Sequence, residues 1–223
     1  DGVRRKLDFE AVAPCPWIRD AFLLASESVG ALLRVHRSGL SEWVIPDLSE
    51  PHRSSGLFRH RHHGLEGFAY DKRSKTLWLL HERDPAGVAV YRWSASEEVQ
   101  RFLRSYVSAS PLPRRKARGD EWAELGWIGR RLYVLNRRQN AIERLQQHGE
   151  EESTLKGDFR WRFDETVSLP DTAFAHGGFG MASAFAVGKD RLWVAIDNNR
   201  SYLRKDPADR RARLLEFRRP QDL

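Results

Sequence analysis

Residues 77–82, with the sequence LWLLHE, belong to a set of four similar segments that decide the fold. The other three are FLLASE at residues 22–27, LYVLNR at residues 132–137 and LWVAID at residues 192–197. Each segment is an apolar run that ends in a polar pair, and the first residues, 22, 77, 132 and 192, are 55, 55 and 60 positions apart. Repetition at such a period indicates an architecture built from copies of one supersecondary unit.

Further short apolar segments accompany each repeat. A segment rich in small residues precedes it, as in FEAVAP, LEGFAYD, AELGWI and MASAFAV, and another follows it, as in ALLRVHR, VAVYRW, AIERLQ and RLLEFRR. Three of the four units offer a fourth candidate: SEWVIPDL, QRFLRSYVS and RWRFDETVSL. Short aromatic and β-branched runs between turns predict strands in antiparallel meanders. Four strands in each period are typical of propeller blades.

We therefore predict an all-β protein, a small β-propeller with four recognisable blade repeats that forms a single domain over residues 1–223. A β-sandwich with coincidental spacing is the alternative fold. The number of blades stays open, because the fourth unit has no outer strand of its own. The N-terminal segment GVRRKLD is long enough to supply that strand, but a five-bladed type with one blade missing or degenerate explains the repeats equally well.

The composition limits the partners and the location of the protein. With 223 residues, 40% of them hydrophobic, the chain can form a substantial core. No apolar run is long enough for a transmembrane helix, so we expect no membrane span. A net charge of +7 favours an anionic small molecule as partner. The basic residues are scattered along the chain, so they do not indicate nucleic-acid binding. The single cysteine, Cys15, excludes an internal disulfide framework, and the oligomeric state stays open.

Equivalent positions of successive blades converge at the channel of a propeller, so a repeated acid can build a site. One column of equivalent residues reads Glu10, Glu66, an uncertain position near Trp122 and Ala123, and Ser183. The second column reads Glu27, Glu82, Arg137 and Asp197, with Asn198 beside the last. Carboxylate and amide oxygens are the ligands that Ca²⁺ prefers. The alternative is that these acids accept backbone or arginine hydrogen bonds and clamp adjacent blades.

The quoted segments also carry a resemblance to a known group of proteins. The stretches LDFEAVAP, HGLEGFAYDKRSKTLWLLHERDPAGVAVYRW and GFGMASAFAVGKDRLWVAIDNN resemble the clan that includes the SdiA-regulated family and the phytase-like family described as having esterase-like activity. The resemblance implies a five- or six-bladed propeller, export in bacteria, hydrolysis of phosphate esters and a divalent metal, often calcium. Ser183 departs from it, because many members have Glu there.

The resemblance also implies roles for individual residues. The implied metal ligands are Glu10, Glu27, Glu66, Asp197 and Asn198. The implied catalytic residues are Glu66, Glu82 and Arg137. A metal-bound water would be the nucleophile, and Arg137 with Arg83 would orient an anionic group through forked hydrogen bonds.

The leading functional prediction is an exported, phytase-like propeller that uses a metal to hydrolyse phosphate or other esters. It would be periplasmic or secreted after removal of a signal, since the chain begins with Asp1 rather than Met, but a cytoplasmic location stays open. The alternative is a noncatalytic scaffold that binds a glycan, peptide or protein, which exposed Trp17, Trp43 or Trp161 would favour.

A histidine cluster directly precedes Glu66. It consists of His60, His62 and His63. Because only one repeat has it, we interpret these histidines as loop residues and Glu66 as the functional residue.

Overall fold

The structure, a computed structural model, describes residues 7–44, 48–59, 64–93, 100–109, 120–147, 153–169, 171–175, 182–198 and 200–223. Strands dominate these residues, which confirms the all-β prediction with four blade repeats. The chain divides into two compact units, Asp1–Asp120 with Gln147–Lys156, and Glu121–Gln146 with Gly157–Leu223. The single domain over residues 1–223 stays a prediction. No helix in the described residues is both long and apolar enough to cross a membrane.

The first unit contains two four-stranded antiparallel meanders. The first blade consists of strands β1 (Phe9–Pro14), β2 (Ala21–Ser26), β3 (Ala31–His36) and β4 (Ser41–Val44), in that order. The second consists of β5 (Leu65–Asp71), β6 (Thr76–His81), β7 (Gly87–Trp93) and β8 (Gln100–Ser108). A short helix, α1 (Ser49–Ser55), lies between them in the chain and was not predicted.

The second unit contains the third and fourth blades. The third consists of β9 (Trp122–Ile128), β10 (Arg131–Asn136), β11 (Ala141–Gln147) and β12 (Thr154–Arg162), although β12 begins in the first unit, where Thr154 and Leu155 pair in parallel with β8. The fourth blade consists of β13 (Ala182–Val187), β14 (Arg191–Ile196) and β15 (Arg213–Arg218).

The predicted fourth strand of the third blade was placed wrongly. The segment RWRFDETVSL contains only the end of β12, and its residues Asp164–Ser168 form helix α2. Asp164 and Glu165 are consecutive acids with low strand propensity, and both lie in the first turn of α2, where the helix dipole favours negative charge. The segment GVRRKLD, the predicted extra strand, lies largely outside the described residues.

Each unit has its own apolar core, formed by alternate side chains of its strands. In the first unit, Leu23, Leu77 and Leu79 are fully buried, and the ring of Trp17 stacks on Trp93 at 4.1 Å between centroids. In the second unit the buried residues include Leu135, Ile142, Leu192 and Val194. Because side chains of a strand alternate between faces, the register that buries these residues also fixes what lies at the strand ends.

The first strand of every blade carries one extra residue at its second position. In the first blade Phe9 pairs with Ser26 and Ala11 with Ala25, so the register skips Glu10. The same register shift occurs at Glu66 in β5, at Ala123 in β9 and at Ser183 in β13. These β-bulges break the ladder at the same place in each blade and redirect the side chain there.

The close packing of β7 against β8 gives a test of this fold. A Cβ atom at Gly87 would lie 2.8 Å from Leu57 Cδ2 and 3.2 Å from Val107 Cα, and would also clash with the carbonyl oxygen of Tyr106. Since backbone atoms cannot give way locally, we expect Gly87→Ala to lower the free energy of unfolding by about 2–3 kcal/mol, measured by denaturant titration.

Gly39→Ala is the control, because Gly39 has open space around it and only a left-handed φ of +92°. Its cost should be limited to backbone strain of roughly 1 kcal/mol. Equal stability of Gly87→Ala and the unsubstituted protein would contradict the β7–β8 register.

Candidate functional site

The bulges identify the third residue of the first column, the one position that the sequence left uncertain. The four bulged residues are Glu10, Glu66, Ala123 and Ser183. The position near Trp122 is therefore Ala123, because Trp122 pairs with Asn136 and Glu124 with Leu135. The column carries carboxylates in the two blades of the first unit and small, uncharged side chains in the two blades of the second.

Three carboxylates meet at one end of the first blade. Ligand oxygens of Asp8, Glu10 and Glu27 all lie within 4.8 Å of one another. Among the described residues this is the one group of three or more His, Cys, Asp or Glu side chains that could hold a metal ion. Glu10 and Glu27 were predicted as ligands, whereas Asp8 was not.

The backbone around this group holds the carboxylates in place. The Glu27 N–H donates to the Asp8 carbonyl oxygen at 2.9 Å, and the Asp8 N–H donates to Ser28 Oγ at 3.3 Å. The Gly30 N–H donates to the Ser26 carbonyl oxygen at 2.9 Å and closes the turn after β2, where Gly30 takes a left-handed φ of +67°. Two antiparallel, hydrogen-bonded segments, rather than one loop, therefore carry the three acids.

Glu27 also links the two blades of the first unit. Its Oε1 accepts a hydrogen bond of 3.2 Å from the Gly64 N–H, directly before β5. This is the clamp that the sequence offered as the alternative to metal binding. One oxygen has several lone-pair sites, and the second carboxylate oxygen is a further acceptor, so this clamp and a metal ligand are compatible in the same side chain.

In the third blade, the positions equivalent to Asp8 and Glu27 carry an acid and an arginine. There the Arg137 N–H donates to the Glu121 carbonyl oxygen at 2.9 Å, as Glu27 does to Asp8 in the first blade. Arg137 Nε lies 3.8 Å from Glu121 Oε1, and Arg138 Nη2 lies 3.5 Å from Glu121 Oε2. An acid–arginine pair thus occupies the places where the first blade has two acids. The predicted anion-binding residue Arg137 is held by Glu121.

Glu66 and Glu82, in the second blade, are not members of the three-carboxylate group. Both residues are buried, with exposed fractions of 5% and 4%. Glu82 directly follows β6, and its Oε2 lies 3.2 Å from Arg83 Nε. Arg83, predicted to orient an anion, therefore neutralises Glu82.

Asp197 and Asn198 follow β14 in the fourth blade. Asp197 is exposed. Asn198 Oδ1 accepts a 3.1 Å hydrogen bond from the Arg200 N–H, and its Nδ2 donates to the carbonyl oxygen of Arg210. The Asn198 side chain thus organises its own turn. Its role as a metal ligand, like that of Asp197, stays a prediction.

The donor set at the first blade fits a hard divalent cation. Three carboxylates supply only oxygen atoms, which Ca²⁺, Mg²⁺ and Mn²⁺ accept, whereas zinc sites usually contain His or Cys. Like charges this close repel one another unless a cation or basic groups neutralise them. The histidines His60, His62 and His63 lie outside the described residues.

A family model fits the chain over residues 7–156, and its description is SdiA-regulated. The chain belongs to the SdiA-regulated family. The match covers more than half of the sequence, including Asp8, Glu10, Glu27, Glu66 and Glu82. It confirms that part of the resemblance, and the phytase-like part stays a prediction.

Several solved structures are similar to this member of the SdiA-regulated family at low sequence identity. They include virginiamycin B lyase from Staphylococcus aureus, with 11% identity, a TM-score of 0.46 and coverage of 96% of this chain and 56% of that one. The WD40 domain of Pan2 from Neurospora crassa has 10% identity, a TM-score of 0.45 and coverage of 94% and 48%. A protein of unknown function from Desulfotomaculum acetoxidans has 13% identity, a TM-score of 0.48 and coverage of 94% and 62%.

The comparison with curated proteins gives no match. The chain covers 55% of a streptogramin B lyase and 56% of virginiamycin B lyase, so it spans about half the length of these similar proteins.

Glu124 is an ionisable residue of this SdiA-regulated family member that was not predicted as a site residue. It lies where the other three blades have Ala11, Gly67 and Ala184. Although part of the residue is still exposed, burial of the carboxyl group raises the pKa of Glu124 to about 8, and the hydrogen bond from the Leu125 N–H offsets this only in part. An acid among three small residues was the available signal, but its burial depends on the folded structure.

The raised pKa of Glu124 predicts a pH dependence of stability. Below the unfolded pKa of 4.5 both states hold the proton, whereas between 4.5 and about 8 the unfolded state loses it first. Stability should therefore fall as pH rises through this window. Glu124→Gln should remove the loss and gain on the order of a few kcal/mol over the unsubstituted protein at pH 8.5, with little difference at pH 4.5.

The measurement is thermal unfolding of both proteins across this pH range. Glu165→Gln is the control, because Glu165 is exposed on α2. A difference between Glu124→Gln and the unsubstituted protein that does not change with pH would contradict the raised pKa.

Proposed function

We propose that this protein binds a divalent cation through Asp8, Glu10 and Glu27, and that it uses the cation to hydrolyse phosphate or other esters outside the cytoplasm. The observation that supports the proposal is the meeting of these three carboxylates within 4.8 Å. Calcium is the favoured ion, because it accepts several carboxylates and completes its shell with carbonyl groups and water.

The residues of the site have separate roles in this proposal. Asp8, Glu10 and Glu27 hold the ion, and the Glu27 hydrogen bond to Gly64 fixes the direction of its carboxylate. When bound, a divalent ion lowers the pKa of a water ligand and polarises a phosphoryl oxygen. Glu66, whose bulge lies two residues after Gly64, is the candidate proton acceptor. Glu82, which pairs with Arg83, remains a candidate catalytic residue of the second blade. The catalytic role of Arg137, a residue of the second unit, stays a prediction from the sequence.

The exposure of the site favours a modest affinity. Asp8 and Glu27 are partly exposed and Glu10 is exposed, so water competes for the ion. Extracellular calcium sites commonly bind with dissociation constants of about 0.1–1 mM. Such a site would be filled in the periplasm or outside the cell, which is why we propose an exported protein.

Calorimetric titration with Ca²⁺, Mg²⁺ and Mn²⁺ tests the binding step. We expect one ion per chain and Ca²⁺ affinity reduced at least about tenfold in Glu10→Gln and Glu27→Gln, because each loses one charged ligand. Gln at position 27 still has an oxygen that can accept the Gly64 N–H, so the clamp is retained. Glu165→Gln should bind as the unsubstituted protein does. Absence of binding for all three ions would refute the metal site.

Turnover of p-nitrophenyl phosphate tests the catalytic step. We expect hydrolysis that stops with a chelator, returns with Ca²⁺, and falls at least about a hundredfold in Glu66→Gln while Ca²⁺ binding is kept. Glu216→Gln, which changes an exposed carboxylate of β15, should leave turnover unchanged. Ion binding without turnover of phosphate or carboxylic esters would leave a structural ion and contradict the hydrolase.

One observation favours a noncatalytic scaffold as the second candidate. Trp43 on β4 is 39% exposed, and Leu40, directly before this strand, is 76% exposed. Trp17 and Trp161, the other two predicted contact residues, are partly buried in aromatic clusters. An exposed aromatic residue on an edge strand suits a glycan or peptide. Ion binding without turnover would make this candidate the better one.

A further inference from the structure

A basic pocket lies within the second unit, apart from the acidic group. It has a volume of about 700 Å³, and its lining includes Trp161, Lys189, Asp190, Arg218, Arg219 and Leu223. These residues come from β12, from the turn between β13 and β14, and from the segment that begins at the end of β15. Three cationic side chains face one carboxylate, so the pocket attracts anions.

Two of the three cations are available to a ligand. Neither Lys189 nor Arg218 makes a hydrogen bond or an ion pair with a described residue, and both are exposed. Other arginines of this unit are paired, for example Arg144 with Asp158 and Arg213 with Asp209. The carboxylate of Asp190 lies 4.0 Å from Arg191, which does not line the pocket.

The third cation, Arg219, fixes the shape of the pocket. Its Nε donates to the backbone oxygen of Leu223 at 2.8 Å, and its Nη1 donates to the Gly188 carbonyl oxygen at 3.2 Å. Its backbone N–H donates to the Asp190 carbonyl oxygen at 2.9 Å. The turn that carries Lys189 is thereby joined to the segment that follows Arg218. Binding would therefore require less ordering than at a flexible loop.

An aromatic wall completes the pocket. The ring of Trp161 meets that of Phe217 at 5.0 Å and an angle of 78°, and that of Phe163 at 5.6 Å. These contacts hold the indole at the edge of a cationic site. An indole beside cations suits a ligand that has an apolar or aromatic group next to its negative charge.

We propose that this pocket binds a small organic phosphate, a phosphoryl group joined to an aromatic or heterocyclic group. Arg218 would hold the phosphoryl oxygens with its planar guanidinium, Lys189 would add a second positive charge, and Trp161 would contact the ring. The pocket lies at the turn end of the β13–β14 hairpin, whereas Ser183 and Asp197 lie at the other end. None of its residues belongs to the proposed metal site, so the two proposals can fail separately.

The test uses 1-naphthyl phosphate as the probe, with a chelator present to silence any metal site. Binding is measured by calorimetry and by fluorescence anisotropy of the naphthyl group. We expect binding that weakens with added salt, a dissociation constant raised about tenfold or more by Arg218→Ala, and a smaller rise for Lys189→Ala. Lys72→Ala, which removes an exposed charge in the first unit, should bind as the unsubstituted protein does.

Two further ligands show which part of the probe, the phosphoryl group or the naphthyl ring, the pocket recognises. Neutral 1-naphthol should not bind measurably, and inorganic phosphate should bind more weakly than the probe because it cannot contact Trp161. Three results would overturn the proposal: no binding of the probe at millimolar concentration, equal losses in Arg218→Ala and Lys72→Ala, or displacement of the probe by a single-stranded oligonucleotide at much lower concentration. The last would make the pocket part of a nucleic-acid surface.

Discussion

The extra residue at the second position of each first strand is the constraint on which the proposed site depends. A β-bulge leaves one residue out of the ladder and turns its side chain away from the regular alternation. In the first blade that residue is Glu10, and the β1–β2 pairing beyond it brings Asp8 next to Glu27. Without the bulge, a strict two-residue period would place Glu10 differently with respect to both acids.

The first and third blades use this backbone arrangement with opposite charge. The contact between the residue before the first strand and the residue after the second is an acid–acid contact at Asp8 and Glu27, and an acid–arginine contact at Glu121 and Arg137. In the third blade the arginine supplies the positive charge from within the chain. We infer that an ion supplies it in the first blade, which explains how one repeat can bind a metal while a copy of the same repeat does not.

The sequence predicted the strands and most of the bulge column, but not the whole site. Alternating apolar residues such as Leu77 and Leu79 mark a strand in any context, so the four repeats could be found. The third position of the column could not be identified from the sequence. Trp122, Ala123 and Glu124 are consecutive, and only the pairing with β10 shows that Ala123 is the bulged residue. Asp8 precedes its strand and lies outside the apolar segments by which the repeats are found, so its closeness to Glu27 follows only from the folded chain.

Diffraction from crystals grown with Mn²⁺ is the most direct test of the central claim, because anomalous scattering identifies the ion and its place independently of activity. The account predicts one anomalous peak between the carboxylates of Asp8, Glu10 and Glu27, at about 2–2.6 Å from at least one oxygen of each residue. A peak at another group of residues, or an empty site at millimolar Mn²⁺ with these three side chains turned apart, would contradict it.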